Sequence, residues 1–162
     1  MRTLSKRLLA LAAAVLSPAA AALNIFACEP EWAALATELA GPQASVTSAT
    51  TAQQDVHHLE ARPSLIARLR GADLLICTGL ELESGWLPLL LQRAANPRVL
   101  PGQPGHVEAG LWVPRLDVPQ RLDRRDGDVH AAGNPHIQLG PRNIQRVAEG
   151  LTQRLSQTDP AN

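Results

Sequence analysis

The sequence is short of aromatic residues and of any surplus of charge. Three Trp, one Phe and no Tyr offer little for bases to stack on, and 15 Lys plus Arg are matched by 15 Asp plus Glu. A chain with neither stacking platforms nor a basic footprint is not built to bind nucleic acid. Its core must rest on Leu, Ala, Val and Ile. Long apolar runs are missing too: Leu8 through Leu16 is far shorter than the roughly 20 residues that cross a bilayer. Arg2, Lys6 and Arg7 precede that run and Ser17-Pro18-Ala19-Ala20-Ala21-Ala22 follows it. Residues 1–22 therefore read as a secretory signal cut after Ala22, which predicts export to the periplasm and no membrane insertion after cleavage.

Cysteine is scarce as well, with Cys28 and Cys77 forming one possible pair. Ile25-Phe26-Ala27-Cys28 faintly resembles a lipoprotein processing box, but bulky Phe26 and the distance beyond the alanine cluster argue against it. Export permits a disulfide. Each cysteine ends a short apolar run, and if those runs are neighbouring parallel strands a Cys28–Cys77 bridge is geometrically feasible.

The mature chain alternates strand and helix signals. Leu23 to Ala27 reads as a strand. Pro30 opens a helix on which Trp32, Leu35, Ala36 and Leu39 recur, stopped by Gly41-Pro42. Ala44 to Ser48 is a second strand, 50–63 a loop, Ser64 to Arg70 a helix, and Ala72 to Cys77 a buried strand. Trp86 to Ala95 is a third helix and Arg98 to Leu100 a short fourth strand. Pro101 to Pro135 is irregular, a loop length that is usually functional or disordered. Pro141 begins a last helix with Ile144, Val147, Ala148, Leu151 and Leu155 on its apolar face. This order predicts one α/β lobe of three layers, with a four-stranded parallel sheet flanked by helices. Ligands of such sheets bind beyond the carboxyl ends of the strands.

Four of the five histidines lie in two segments, Asp55-Val56-His57-His58-Leu59 and Gly127-Asp128-Val129-His130-Ala131-Ala132-Gly133-Asn134-Pro135-His136. Each follows a strand and carries an Asp among turn-forming residues. Neutral imidazole is a good zinc ligand, and a neighbouring acceptor fixes its tautomer. No Glu stands beside a histidine as in His-Glu-x-x-His, so the general base of a zinc protease is missing.

These motifs resemble the periplasmic metal-binding proteins of zinc and manganese ABC importers, the zinc-type members in particular. The family's Asp-Pro-His-x-Tyr/Phe segment, followed by Pro-Ser and a helix, is matched by Asp55 to Leu59 and Pro63-Ser64. Its Ala-Asp-Leu strand and Gly-x-x-x-Glu turn are matched by Ala72-Asp73-Leu74, Thr78-Gly79-Leu80-Glu81-Leu82-Glu83 and Trp86-Leu87. Its Gly-Asn-Pro-His-x-Trp-x-x-Pro segment is matched by Gly133-Asn134-Pro135-His136-Ile137-Gln138-Leu139-Gly140-Pro141. Val56, Leu59 and Gln138 depart from the pattern, and no His-rich tract occupies 101–127. The resemblance implies that His57 and His136 are metal ligands.

Family members resemble two lobes joined by a long helix, the second lobe supplying a His or Glu and an Asp. The resemblance then implies a first lobe over 23–157, with 158–162 opening the joining helix, in a fragment or truncated gene product. Val147, Leu151, Leu155 and Trp112 are expected near the face turned to a second lobe. Around the site, His58, His130 and Asp128 are accessory candidates, with His130 more a loop stabiliser. Asp55 should shape the loop through an Asx turn. Glu81 and Glu83 are expected to cap the third helix, His106 to face solvent, and Arg124 and Arg125 to be solvated.

The function that follows is zinc capture for an ABC permease, without catalysis. Imidazole suits Zn2+, while Mn2+ prefers more oxygen. The competing readings are a small zinc-dependent hydrolase using the same histidines with Asp128, and a non-functional remnant of the receptor.

Overall fold

The computed structural model describes residues 22–160 except 124, 126 and 128. The expected leader, apart from Ala22, lies outside the described residues, as do Arg124 and Asp128. Among the described residues no helix is long and apolar enough to cross a membrane.

Four parallel strands form one sheet in the order β2-β1-β3-β4, with β1 at Leu23–Ala27, β2 at Ala44–Ser48, β3 at Leu74–Cys77 and β4 at His106–Glu108. Four helices flank it: α1 Pro30–Ala40, α2 Pro63–Arg70, α3 Leu87–Ala94 and α4 Pro141–Thr158. Each begins with proline at its first or second position. There the missing N–H would have had no helical partner and the fixed φ suits the turn.

The pleat sorts the central strands between two cores. Ile25 and Ala27 of β1 and Leu74 and Ile76 of β3 pack with Trp32, Ala36, Val147 and Leu151 of α1 and α4. Phe26, Cys28, Leu75 and Cys77 face the other way, onto Leu65, Leu69, Leu90 and Trp86. Covered on both faces, β3 is wholly apolar and buried, as parallel central strands are. Val147, Leu151 and Leu155 are therefore core residues of this lobe and do not form a face awaiting a partner. Trp112 joins them by lying against α4 at Gly150, where a Cβ would run into its ring.

The fourth strand is not at Arg98 to Leu100. There Pro97–Val99 forms a 3-10 turn, with Arg98 N donating to Asn96 Oδ1 at 3.1 Å. The strand comes later, at His106–Glu108, where Leu75 pairs with His106 and Cys77 with Glu108. This placement also corrects His106, whose side chain is only 6% exposed. Its Nδ1 lies 2.8 Å from the Val99 carbonyl, which only accepts, so Nδ1 carries the proton. Its Nε2 lies 3.5 Å from Glu108. The helix α4 ends at Thr158 and Asp159 caps it, with Asp159 N donating to Leu155 O at 2.8 Å.

Strand order reverses between β1 and β3, the switch point at which α/β sheets open toward ligands. Here it is filled from within. Cys28 directly follows β1 and Cys77 ends β3, with Cα atoms 4.8 Å apart and their sulfurs bonded. Beside them Glu29 and Glu83 are both buried. Thr78 N, at 2.7 Å, and Gly79 N, at 3.1 Å, donate to Glu83. Thr78 N and Oγ1 also donate to Glu29 Oε2, each at 3.2 Å, while Glu29 Oε1 has no hydrogen-bond partner among the described residues.

Burial, then the neighbouring Glu83 charge, pushes the Glu29 carboxyl well above its ordinary range, so Glu29 is the partner that holds the proton. A carboxyl whose pKa is raised on folding contributes stability that is fully present below the unfolded glutamate range. That contribution is lost as pH rises through the folded value. Glu29→Gln should therefore flatten the fall in melting temperature between pH 5 and 8 and raise it by a few degrees, ~1 kcal/mol, at pH 8. Thermal melts that fall equally in both proteins would refute the assignment.

Candidate metal centre

Beyond the carboxyl ends of the sheet, two loops bring three histidines together. The first leaves β2 and is tied back to β1, with Ala49 N donating to Ala27 O and Thr50 Oγ1 to Cys28 O, both at 2.8 Å. It then turns through a 3-10 helix, Val56–His58, capped by the Asp55 side chain. Trp86 Nε1 donates to Val56 O at 2.8 Å and pins this turn to the start of α3. Gly85 allows the approach, since a Cβ there would lie 3.1 Å from His57 O.

Asp55 organises the turn with both oxygens. Oδ1 accepts from His57 N at 2.9 Å and lies 2.8 Å from His57 Nδ1, while Oδ2 lies 3.0 Å from His58 Nδ1. The hydrogen bond from the His57 ring, then that from its amide and that from His58, holds the Asp55 carboxyl well below the usual carboxylate range. Asp55 thus stays ionised and accepts from Nδ1–H, which leaves the His57 lone pair on Nε2. His58 is 73% exposed in its side chain and turns to Asp55, so it acts through that carboxylate.

The second loop carries His130 and His136. The Glu81 carboxylate accepts from Ala131 N at 2.6 Å and Ala132 N at 3.3 Å. Glu81 is thus a tether for this loop, and neither it nor Glu83 caps α3, whose N-cap Trp86 has no side-chain cap. Leu80 and Glu81 hold left-handed φ values of 54° and 70°. Such strain at non-glycine residues persists where surrounding bonds over-determine it, here the grip of Glu83 on Thr78 and Gly79. Further along, Asn134 N donates to Leu116 O at 2.8 Å and His136 N to Asn134 Oδ1 at 3.0 Å.

The two loops meet at His57. Its Nε2 lies 3.3 Å from His130 Nε2, and the rings stack with centroids 5.3 Å apart. The His136 ring stands edge-on to His57 at 6.0 Å. A small cavity of about 220 Å³ opens beside them, lined by His130, His136, Asn134 and Asp117. The donor set suits an imidazole-preferring divalent metal. His130, an accessory candidate expected more as a loop stabiliser, is the histidine whose Nε2 lies 3.3 Å from that of His57, a contact that no local spacing in the sequence marks. Asp128 lies outside the described residues. Arg125 is 85% exposed and pairs with Asp123, so it plays no part here.

An α/β lobe with an imidazole cluster beyond its strand ends is the form of a metal-binding receptor lobe. The model of the family described as zinc-uptake complex component A, periplasmic (ZnuA), matches residues 25–162, and the chain belongs to that family. Over 143 residues it is 27% identical to the metal ABC transporter substrate-binding lipoprotein ScbA of Streptococcus cristatus, covering 86% of this chain and 43% of that protein. Over 129 residues it is 26% identical to the iron-binding protein YfeA of Yersinia pestis, covering 79% and 37%.

Among solved structures, a crystal structure of ZnuA superposes with a TM-score of 0.68 at 23% identity, covering 87% of this chain and 49% of that one. A Mn-bound periplasmic metal-binding protein from candidatus liberibacter asiaticus gives 0.66 at 19% identity, covering 85% and 46%. These likenesses show the fold. The chain spans less than half the length of the relatives it matches. The family is one of substrate-binding receptors rather than enzymes.

Proposed function

We propose that this chain is the zinc-capturing lobe of a periplasmic receptor, exported by its 1–22 leader, that passes Zn2+ to an ABC permease. The observation that carries the reading is the Asp55–His57 pair, with His57 Nε2 turned to His130 and the His136 ring 6.0 Å away. A carboxylate behind the imidazole raises its basicity and fixes its orientation, as ligating histidines require. His57 and His136 are the ligands that match the family motif. Zinc is favoured over manganese because the three imidazoles that meet here offer borderline nitrogens, while the Asp117 carboxylate in the adjoining cavity accepts from Asn134 Nδ2 at 3.1 Å. The family's relatives include proteins named for iron and structures bound to manganese, so the donor set of this chain carries the choice.

Calorimetric titration of the mature chain with zinc, then manganese, tests the proposal. One zinc per chain, bound far more tightly than manganese, is the expected result. Preference for manganese, or uptake of neither metal, overturns it.

The Asp55 carboxylate can be probed separately. Asp55→Ala removes the acceptor of His57 Nδ1 and the cap of its turn, and should weaken zinc about 10–100-fold. Competition against a chromophoric chelator measures this, and unchanged affinity would show that His57 is oriented by other means.

A further inference from the structure

We propose that His130 is a third nitrogen ligand, so that this lobe surrounds the metal with three imidazoles of its own. The inference rests on the reading of His57 and His136 as a metal site and adds a donor that the family motif does not contain. Its basis is the spacing of two atoms. Nitrogens bound to one tetrahedral zinc at about 2.0–2.1 Å must lie roughly 3.3–3.4 Å apart. His57 Nε2 and His130 Nε2 are 3.3 Å apart. The same separation is within hydrogen-bond reach, so the two nitrogens face each other across the position a metal would take.

The loop that presents His130 is also held in place. Glu81 grips it at Ala131 N and Ala132 N, the two amides that follow the histidine, and Gly133 N donates to His130 O at 3.1 Å. His57 is held from the opposite side by Asp55 and Trp86. Two imidazoles fixed by independent anchors thus converge before any metal arrives, and preorganised ligands lose little freedom on binding. His136 borders the pair, its ring 6.0 Å from that of His57, and is exposed.

The test uses the mature chain and its His130→Ala, His130→Gln and His57→Ala variants. Each is titrated with Zn2+ for affinity and with Co2+ for the visible absorption that reports how many nitrogens surround the ion. Both His130 variants should lose at least about tenfold in zinc affinity and shift the Co2+ spectrum toward fewer nitrogen donors. Metal-free melting curves within a few degrees of wild type show that the loop still folds.

If His57→Ala abolishes binding while both His130 variants keep wild-type affinity and spectrum, His130 is not a ligand and the two-histidine reading stands. If none of the variants changes binding, both readings fall. Should His130→Ala melt early, the Co2+ spectrum of His130→Gln decides between a ligand and a loop support.

Discussion

Replacing either His57 or His136 by alanine should cost the chain most of its zinc affinity. Loss of a residue that merely orients a ligand already weakens metal about 10–100-fold, so loss of the ligand itself should exceed about 100-fold. His57 should be the more severe of the two. Its imidazole is one-fifth exposed, backed by Asp55, and in ring contact with both His130 and His136. His136 is exposed and reaches the cluster from its rim, so its variant should retain a weak site on the remaining histidines. Calorimetry at neutral pH on both variants and wild type checks the order. Neither substitution should alter the metal-free melting temperature by more than a degree or two, since neither residue belongs to the core. Undiminished zinc affinity in both variants would remove the site from these loops altogether.

Legibility in the sequence followed the physics of each element. β1 and β2 coincide with their expected bounds because Leu23, Ile25, Phe26 and Ala27 form a short apolar run and Val46 and Thr47 are β-branched. The proline starts of α1 and α4 were equally plain, whereas Pro63 read as the end of a loop and proves to open α2. β4 was not plain, because it is three residues long with a single apolar side chain, Val107, and His and Glu at its ends. The apolar signal at Val99 belongs instead to a turn whose one buried residue mimics a strand.

The site was half legible for the same reason. His57 and His136 stand in recognisable local motifs, and Asp55 acts on its own turn, two residues away. His130 reaches His57 across 73 positions, and Glu81 reaches Ala131 across 50. Contacts of that span leave no periodic trace. Glu83 read as a helix cap and Glu29 carried no signal, because the burial of these paired carboxyls is decided where β1 and β3 end side by side and by nothing local.

The exported protein should contain the Cys28–Cys77 disulfide, and its removal should produce the largest loss of stability of any single change described for this chain. The bond joins residues 49 apart in sequence. Constraining a loop of that length in the unfolded chain stabilises the fold by about 4 kcal/mol in the chain-entropy treatment. Both cysteines are fully buried, at the ends of hydrogen-bonded neighbours β1 and β3, so the native backbone already holds them within bridging reach.

The Cys28→Ala/Cys77→Ala protein should melt on the order of 10 °C lower at its first transition. Zinc affinity should fall only modestly, because the disulfide supports the scaffold of the Thr78 turn and touches no histidine. Mass spectrometry of the periplasmic protein, alkylated without reductant, decides whether the bond forms. Two alkylated cysteines would show it does not, and an unchanged melting temperature in the double variant would show that the sheet alone holds these strands.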